Sequence, residues 1–316
     1  MYPNMSAAFV MNILRKLLES YTTILVISLF IGLTLPETGG IFTPYTTPFL
    51  QLIFFLSSLK LNIRDVKNET KNLRSVLLVN LYMLILFPIA VYFLAKILVP
   101  SYAMPLLILA TMPAGMTSVL FTELIGGSVG LALVLTTTTS LLAPFTVPVM
   151  IRLLAGASVA VPTAQMFLSL LMVIIVPFAL AQIARRLFHE KIKASFWTFK
   201  PISIALLGCL IMGVVAREAP RMTQNLAVFL PALAILFVFF TLLHLAGYFG
   251  IPHLAKKDRL ATTVCLTYMN FTLAIYLAGK FFPDPKILIP VILSVFPWSI
   301  GMIPFKAIVQ NFKSTH

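Results

Sequence analysis

Polar residues interrupt two long apolar runs of this sequence, and their side chains suit binding better than catalysis. The first run reads LATMPAGMTS from Leu109 to Ser118, and the second reads LTYMNFT from Leu266 to Thr272. Proline removes a backbone donor and breaks the helix that contains it, which frees carbonyl groups. Hydroxyl, amide and free backbone groups can together hold a small polar solute or an ion.

A break in an apolar helix has a specific meaning inside a bilayer. Freed backbone groups must find protein, water or ion partners there, so breaks are tolerated where they face a cavity. Paired interruptions in corresponding spans indicate the substrate site of a transporter. We therefore predict that Thr117, Thr267 and Asn270 contact a solute.

A third polar segment carries five consecutive hydroxyl residues, Thr136 to Ser140, and Pro144 follows it. Threonine and serine in helices often bond back to the carbonyl four residues earlier, which is one interpretation of this segment. Five in succession cover every face of a helix, however. At least one of these hydroxyls is therefore expected to meet the broken helix around Pro113.

The composition identifies the class of protein. The chain has 316 residues, of which 60% are hydrophobic and only 10% are charged, with a formal net charge of +14. A soluble domain carries about 25% charged residues, so this chain has too few to cover a water-exposed surface. A soluble fold, a disordered chain and a nucleic-acid-binding protein are excluded, and the lipid bilayer is the expected environment.

The apolar windows predict an all-α multi-pass membrane protein with ten transmembrane helices. A spanning helix needs about 20 apolar residues. Suitable windows lie at about 14–34, 43–60, 75–98, 103–125, 128–153, 164–184, 200–216, 225–250, 260–281 and 287–309. We predict one membrane domain over residues 1–316, since too little chain remains for a soluble domain.

The basic residues predict the orientation of these spans. With ten spans, seventeen of the 23 Lys and Arg residues fall on the side of the two termini. Because cytoplasmic loops carry an excess of Lys and Arg, both termini are expected to be cytoplasmic, in a cell (inner) membrane.

The ten spans divide into two sets of five, at about 14–153 and about 164–309. A unit with an odd number of spans that is duplicated in tandem must insert in opposite orientations. We therefore predict a 5+5 inverted repeat, in which helices 4 and 9 are discontinuous and cross.

The sequence carries no pattern of an enzyme. It lacks zinc-protease, serine-hydrolase and phosphate-loop motifs, so we predict no catalysis and no cofactor. No arginine or lysine lies in the middle of a span. An anionic solute would therefore be held by hydroxyls, amides and the positive N-terminal ends of half-helices. No obligate protein partner and no nucleic-acid partner are indicated.

The segment from Pro113 to Pro144, together with Tyr268 to Ala274, resembles the bile acid:sodium symporter family. That family belongs with the arsenite and auxin-efflux permeases. The resemblance implies a panel and a core subdomain, with two sodium ions beside the crossing of helices 4 and 9. It also implies that Ser118 and Thr136 match sodium ligands and that Asn270 lies near the substrate.

Several positions depart from the family pattern. The resemblance places polar ligands where this chain has apolar or sulfur-containing residues, namely Met83, Val119, Ala132, Cys265, Met269 and the pair Pro297-Trp298. Sodium is a hard cation that requires oxygen ligands, and a thioether or a valine cannot supply them. We therefore expect the family fold in a carrier that either runs without sodium or couples to it through other residues. We also expect a more apolar cavity, lined by Cys265 and Trp298.

The resulting hypothesis is secondary transport of a small organic solute, namely an organic anion or amphipathic carboxylate, by alternating access. One alternative is an arsenite-type efflux permease that uses Cys265 as a soft ligand. Another alternative is a membrane sensor on a carrier fold that binds a ligand without transporting it.

Overall fold

The computed structural model describes residues 21–61, 73–156, 161–224, 229–282 and 284–314, which are helical throughout apart from turns and one isolated β-bridge. The helices before residue 160 are α1 Tyr21–Thr34, α2 Pro36–Gly40, α3 Thr46–Ser58, α4 Leu73–Leu81, α5 Phe87–Leu98, α6 Ala103–Ala110, α7 Ser118–Ile125 and α8 Val129–Ala155. Short 3-10 turns at Thr43–Tyr45 and Pro100–Tyr102 precede α3 and α6.

The helices after residue 160 continue this all-helical pattern. They are α9 Thr163–Leu170, α10 Val176–Leu187, α11 His189–Ala194, α12 Phe196–Thr223, α13 Phe229–Phe249, α14 Lys256–Thr267, α15 Phe271–Phe281, α16 Pro285–Leu293, α17 Val295–Ile300 and α18 Met302–Ser314.

Two of the long helices contain a π turn directly before a proline. The π turn Tyr82–Leu86 joins α4 to α5, and Leu171–Ile175 joins α9 to α10. Pro88 and Pro177 follow these turns at the start of the next helix. Proline lacks an N–H and clashes with the carbonyl four residues earlier, so the wider π turn lets each helix continue past it.

Six helical segments of the described chain are long and apolar enough to cross a membrane, namely Leu73–Leu98, Val129–Ala155, Thr163–Leu187, Phe196–Thr223, Phe229–Phe249 and Pro285–Val309. A bent pair, Val26–Thr34 with Pro36–Ser58, makes a seventh if its 109° bend lies within one span. The multi-pass architecture is thus present. Ten spans and the inverted repeat remain predictions, because the other windows contain helices shorter than the bilayer requires.

Both predicted breaks are present. Residues 111–117 separate α6 from α7, and residues 268–270 separate α14 from α15. The two breaks lie against each other as an antiparallel bridge between Ala114 and Met269. The predicted discontinuity of helices 4 and 9 is therefore observed, and their interrupted segments meet.

The helices pack in two groups. The panel group consists of α1–α3, α10 and α12, where α12 packs along α1, α2 and α3, and α10 packs on α3. The core group consists of α4–α8 and α13–α18, in which α14 contacts α7, α8 and α13. The broken helices belong to the core group, so one of its faces presents both breaks to the panel group.

Gly126 ends α7 in the left-handed conformation, with φ of 72°. A residue without a Cβ adopts this conformation readily, and its N–H bonds back to the carbonyl of Glu123 at 3.0 Å. The chain can therefore turn sharply from α7 into α8, which returns beside the break.

The contact between the breaks requires a glycine at position 115, which gives a direct test. A Cβ on Gly115 would lie 2.5 Å from the carbonyl oxygen of Tyr268. We predict that Gly115→Ala destabilises the protein by about 1–3 kcal/mol, as overpacking does, because the two backbones must separate. Thermal unfolding of the purified protein in detergent measures this change.

Gly40→Ala is the matched control, since a Cβ at Gly40 would meet nothing within 4 Å. It should unfold at the wild-type temperature. Equal stability of Gly115→Ala and the wild type would contradict the close approach of the two breaks.

Candidate solute-binding site

Two backbone hydrogen bonds hold the breaks together. The N–H of Gly115 donates to the carbonyl of Tyr268 at 2.9 Å, and the N–H of Asn270 donates to the carbonyl of Pro113 at 2.8 Å. Ser118 adds a side-chain bond, since its Oγ donates to the carbonyl of Tyr268 at 3.1 Å. Backbone groups exposed by the proline break are thereby satisfied within the protein, as the hydrocarbon region requires.

Asn270 caps the helix that follows the second break. Its Oδ1 accepts a hydrogen bond from the N–H of Leu273 at 3.0 Å. The carboxamide nitrogen makes no hydrogen bond within the described parts of the chain, although it carries two donor hydrogens. Asn270 is partly exposed and borders a cavity, so its NH₂ group can bind a solute.

A cavity of about 70 Å³ lies between the breaks and the panel group. Helices α3 and α12 form one wall, which consists of Ile53, Ser57, Ser203 and Leu207. The remaining lining comes from both breaks, from the start of α15 and from α17, namely Gly115, Met116, Thr117, Met269, Asn270, Phe271, Thr272 and Trp298. The cavity therefore lies on the boundary between the two helix groups.

The cavity at the breaks is small. A volume of about 70 Å³ exceeds what one water needs but falls well below the 300–1,000 Å³ of typical ligand pockets.

The sequence placed five residues at the solute site, and the structure brings three of them to this cavity. Thr117, Asn270 and Trp298 line it. Thr267 and Cys265 do not, because both are fully buried in the last turn of α14, before the break. The thiol of Cys265 faces α8, where its Sγ lies 3.9 Å from the carbonyl of Ala132. This burial gives the arsenite alternative no support.

The row of hydroxyls on α8 bonds back to its own helix and also contacts the first break, as both interpretations of the sequence predict. Thr137, Thr138 and Thr139 each bond back to the carbonyl four residues earlier, at 2.6–2.9 Å. Thr139 Oγ1 also accepts a hydrogen bond from the N–H of Ala114 at 3.1 Å. One hydroxyl of the row therefore meets the first break, as its position in the sequence predicts.

Four further hydroxyl oxygens are buried and lack a hydrogen-bond partner among the described residues, namely those of Thr122, Thr136, Ser140 and Thr267. They lie on three helices that pack together, α7, α8 and α14. Thr136 neighbours the Cys265 thiol, and sulfur is a weak hydrogen-bonding group. Ser118 and Thr136, the two positions that the resemblance matches to sodium ligands, are both buried in these helices.

The helices here offer hydroxyl and carbonyl oxygens. Within the described parts of the chain, no three His, Cys, Asp or Glu side chains lie close enough together to hold a metal ion. Met83 and Met269, two of the positions that depart from the family pattern, are buried.

An aromatic cluster fixes the position of the second break. His244 donates from Nδ1 to the carbonyl of Phe240 at 2.7 Å, and its Nε2 is hydrogen-bonded to the Tyr268 hydroxyl at 3.1 Å. The ring of Tyr268 lies 5.0 Å from Phe121 and 5.9 Å from Trp298. His244 thus connects α13 to the second break through the Tyr268 hydroxyl.

The panel wall of the cavity has no recognisable signal in the sequence. Ile53 and Ser57 in α3, and Ser203 and Leu207 in α12, are ordinary residues of apolar helices. Their role depends on which helices pack opposite the breaks, and a single sequence does not encode that pairing visibly.

Comparison with known proteins gives a family match and several similar proteins. The Sodium Bile acid symporter family matches residues 47–225, which is more than half of the chain. Sodium/bile acid cotransporter 7-B of Xenopus laevis is 25% identical over 284 residues, covering 84% of this chain and 83% of that protein.

Two further relatives extend this similarity. The uncharacterized sodium-dependent transporter YocS of Bacillus subtilis is 23% identical over 221 residues, covering 68% of this chain and 69% of its own length. The probable chloroplastic sodium/metabolite cotransporter BASS5 of Arabidopsis thaliana is 24% identical over 321 residues, covering 96% of this chain and 78% of its own length. All three of these relatives are named as transporters.

The two roles of Asn270, as a helix cap and as a solute contact, can be separated by mutation. Asn270→Ala removes the cap and should cost about 1 kcal/mol of stability, whereas Asn270→Ser retains a capping oxygen and should cost only a few tenths. Thermal unfolding in detergent measures both. Both variants should lose solute binding, because neither retains the NH₂ group.

Asp284→Ala is the matched control for loss of a cap. Asp284 caps α16 by accepting from the N–H of Lys286 at 2.9 Å, away from the cavity. This variant should lose stability without loss of binding. Full binding by Asn270→Ser would contradict a role of the amide in solute contact.

Proposed function

The chain belongs to the sodium bile acid symporter family, and we propose that it is a secondary transporter of a small organic solute. The observation that carries this proposal is the cavity between the panel group and the two paired helix breaks. Broken helices that meet at a boundary between two helix groups form the usual substrate site of such carriers.

Alternating access is the mechanism that this arrangement favours. The breaks are bonded to each other through backbone atoms, so α6, α7, α14 and α15 move together. Rocking of the core group against the panel group would open the cavity first to one side of the membrane and then to the other. We interpret the two broken segments as equivalent parts of the inverted repeat within one membrane domain.

An organic anion or amphipathic carboxylate is the proposed substrate class. Helices α7 and α15 both begin at the breaks, so their N-terminal ends direct partial positive charge at the same region. Thr117 and Asn270 add polar side chains, while Met116, Met269 and Trp298 make the rest apolar. A solute with one anionic end and an apolar body matches this lining.

We propose that transport runs without sodium coupling, in contrast to what the names of the relatives say of those proteins. Cys265 and Met269 stand where the family resemblance places polar ligands, and neither a thiol nor a thioether supplies the oxygen that a hard cation requires. We further propose that both termini are cytoplasmic, in a cell (inner) membrane, since seventeen of the 23 basic side chains fall on that side when ten spans are assigned.

Uptake into proteoliposomes tests the function and the coupling together. A set of radiolabelled carboxylates that includes a bile acid should identify a solute that the wild type accumulates in counterflow. Uptake should be equal in sodium and potassium chloride at the same ionic strength, because no complete sodium site is expected. Asn270→Ala should abolish this uptake, and liposomes without protein set the background.

Three other results would change the interpretation. A steep sodium dependence would contradict the argument from missing ligands. Binding without counterflow would indicate the sensor alternative. Unchanged uptake by Asn270→Ala would contradict the proposed site.

A further inference from the structure

A second cavity lies on the same boundary between the helix groups, at the far end of α15 from the break. Its volume is about 210 Å³. The start of α3 and the middle of α12 form one side, and the last turns of α15 form the other. Its polar lining consists of Thr43, Thr46, Thr47, Arg217, Tyr276 and Lys280.

Lys280 supplies a cation without a carboxylate partner in the described chain. Its Nζ donates to the hydroxyl of Tyr276 at 2.9 Å and to the hydroxyl of Ser169 at 3.1 Å. These two bonds use two of the three ammonium hydrogens, which leaves one donor. The neutral hydroxyls hold the ammonium in place at the cavity wall without neutralising it.

Arg217 adds a second cation that is only partly neutralised. Its Nε lies 3.4 Å from Glu218 Oε1, while Arg221 lies 3.0 Å from Glu218 Oε2. One buried carboxylate therefore serves two guanidinium groups. Arg217 remains 52% exposed, so its other N–H donors are accessible from the cavity.

The hydroxyls beside these cations complete an anion-binding lining. Tyr276 is buried, and its hydroxyl contacts Thr47 Oγ1 at 3.2 Å and Ser169 Oγ at 2.8 Å. Hydroxyl and charged N–H donors around one small space are the groups that bind a carboxylate through charge-assisted hydrogen bonds. Two cations, Lys280 and Arg217, line the cavity, and no carboxylate is among the described residues that line it.

We propose that this cavity binds the carboxylate of an organic anion, with Lys280 and Arg217 as the charged contacts. The proposal rests on the transport function proposed above and names an additional site for the same solute. The cavity is three times as large as the one at the breaks, so a small aliphatic carboxylate fits it in the present state.

The position of the cavity connects it to the breaks. Helix α15 begins after Asn270 and reaches Lys280 ten residues later, a distance of about 15 Å at 1.5 Å per residue. Both cavities have α3 and α12 as their opposite wall. An anion bound at Lys280 thus occupies the same boundary as the site at the breaks, nearer to the membrane surface.

Matched ligand pairs test this site in the purified full-length protein. Thermal shift in detergent compares butanoate and hexanoate with butanamide and hexanamide, at constant chloride and ionic strength. The carboxylates should stabilise the wild type and the amides should not. Lys280→Gln and Arg217→Gln should each weaken the apparent Kd at least about tenfold, since a charge-assisted hydrogen bond is lost.

Two further variants serve as controls. Lys286→Gln removes an exposed cation six residues away that does not line the cavity, so it should bind like the wild type. Lys280→Arg retains the charge and should retain most of the carboxylate preference, which separates loss of charge from misfolding. No preference for carboxylates in the wild type, or an equal preference in Lys280→Gln, would overturn the proposal.

The uptake assay separates failure of this site from failure of the proposed function. Transport that is lost in Asn270→Ala but keeps its KM for the anion in Lys280→Gln would refute the Lys280 site and leave the carrier function intact. Carboxylate binding that depends on Lys280, in a protein that shows no counterflow, would support the site and refute transport.

Discussion

The structure depends on two main-chain hydrogen bonds between interrupted helices. In hydrocarbon an unpaired N–H or C=O costs several kcal/mol, so a proline break is stable only where its groups find partners. The second break supplies them to the first, through Gly115 with Tyr268 and Asn270 with Pro113. Because this pairing uses backbone atoms, the side chains beside it remain available for a solute.

Much of this arrangement can be predicted from the sequence. Pro113 and Asn270 predict the breaks, because a proline or an amide side chain in an apolar membrane helix costs free energy unless its polar groups find partners. The hydroxyl row predicts a contact with the first break, and Thr139 makes it. These predictions succeed because each depends on local chemistry. The number of spans is less certain, because half-helices are too short to meet the length that a bilayer requires.

Which side chains reach each cavity could not be predicted, because that depends on packing between distant parts of the chain. The sequence places Cys265 at the solute site, but α14 turns that side of the helix toward α8. Lys280 and Arg217 appear as unrelated loop-end charges in the sequence, although the fold brings them to one cavity. The prediction that hydroxyls, amides and helix ends hold an anion did not consider these two cations. A single sequence does not show which helices face each other.

The hydroxyl of Tyr276 contacts residues of α3 and α9 as well as Lys280 on its own helix. Replacing one of these hydrogen bonds by a bond to water costs about 0.5–1.5 kcal/mol net. Separating an apolar contact instead costs about 25 cal/mol for every Å² of apolar surface that becomes exposed to water. Water that reaches this end of the boundary can replace these bonds one at a time. The free-energy barrier to separating the helices at this end therefore depends on whether water can reach these hydroxyls.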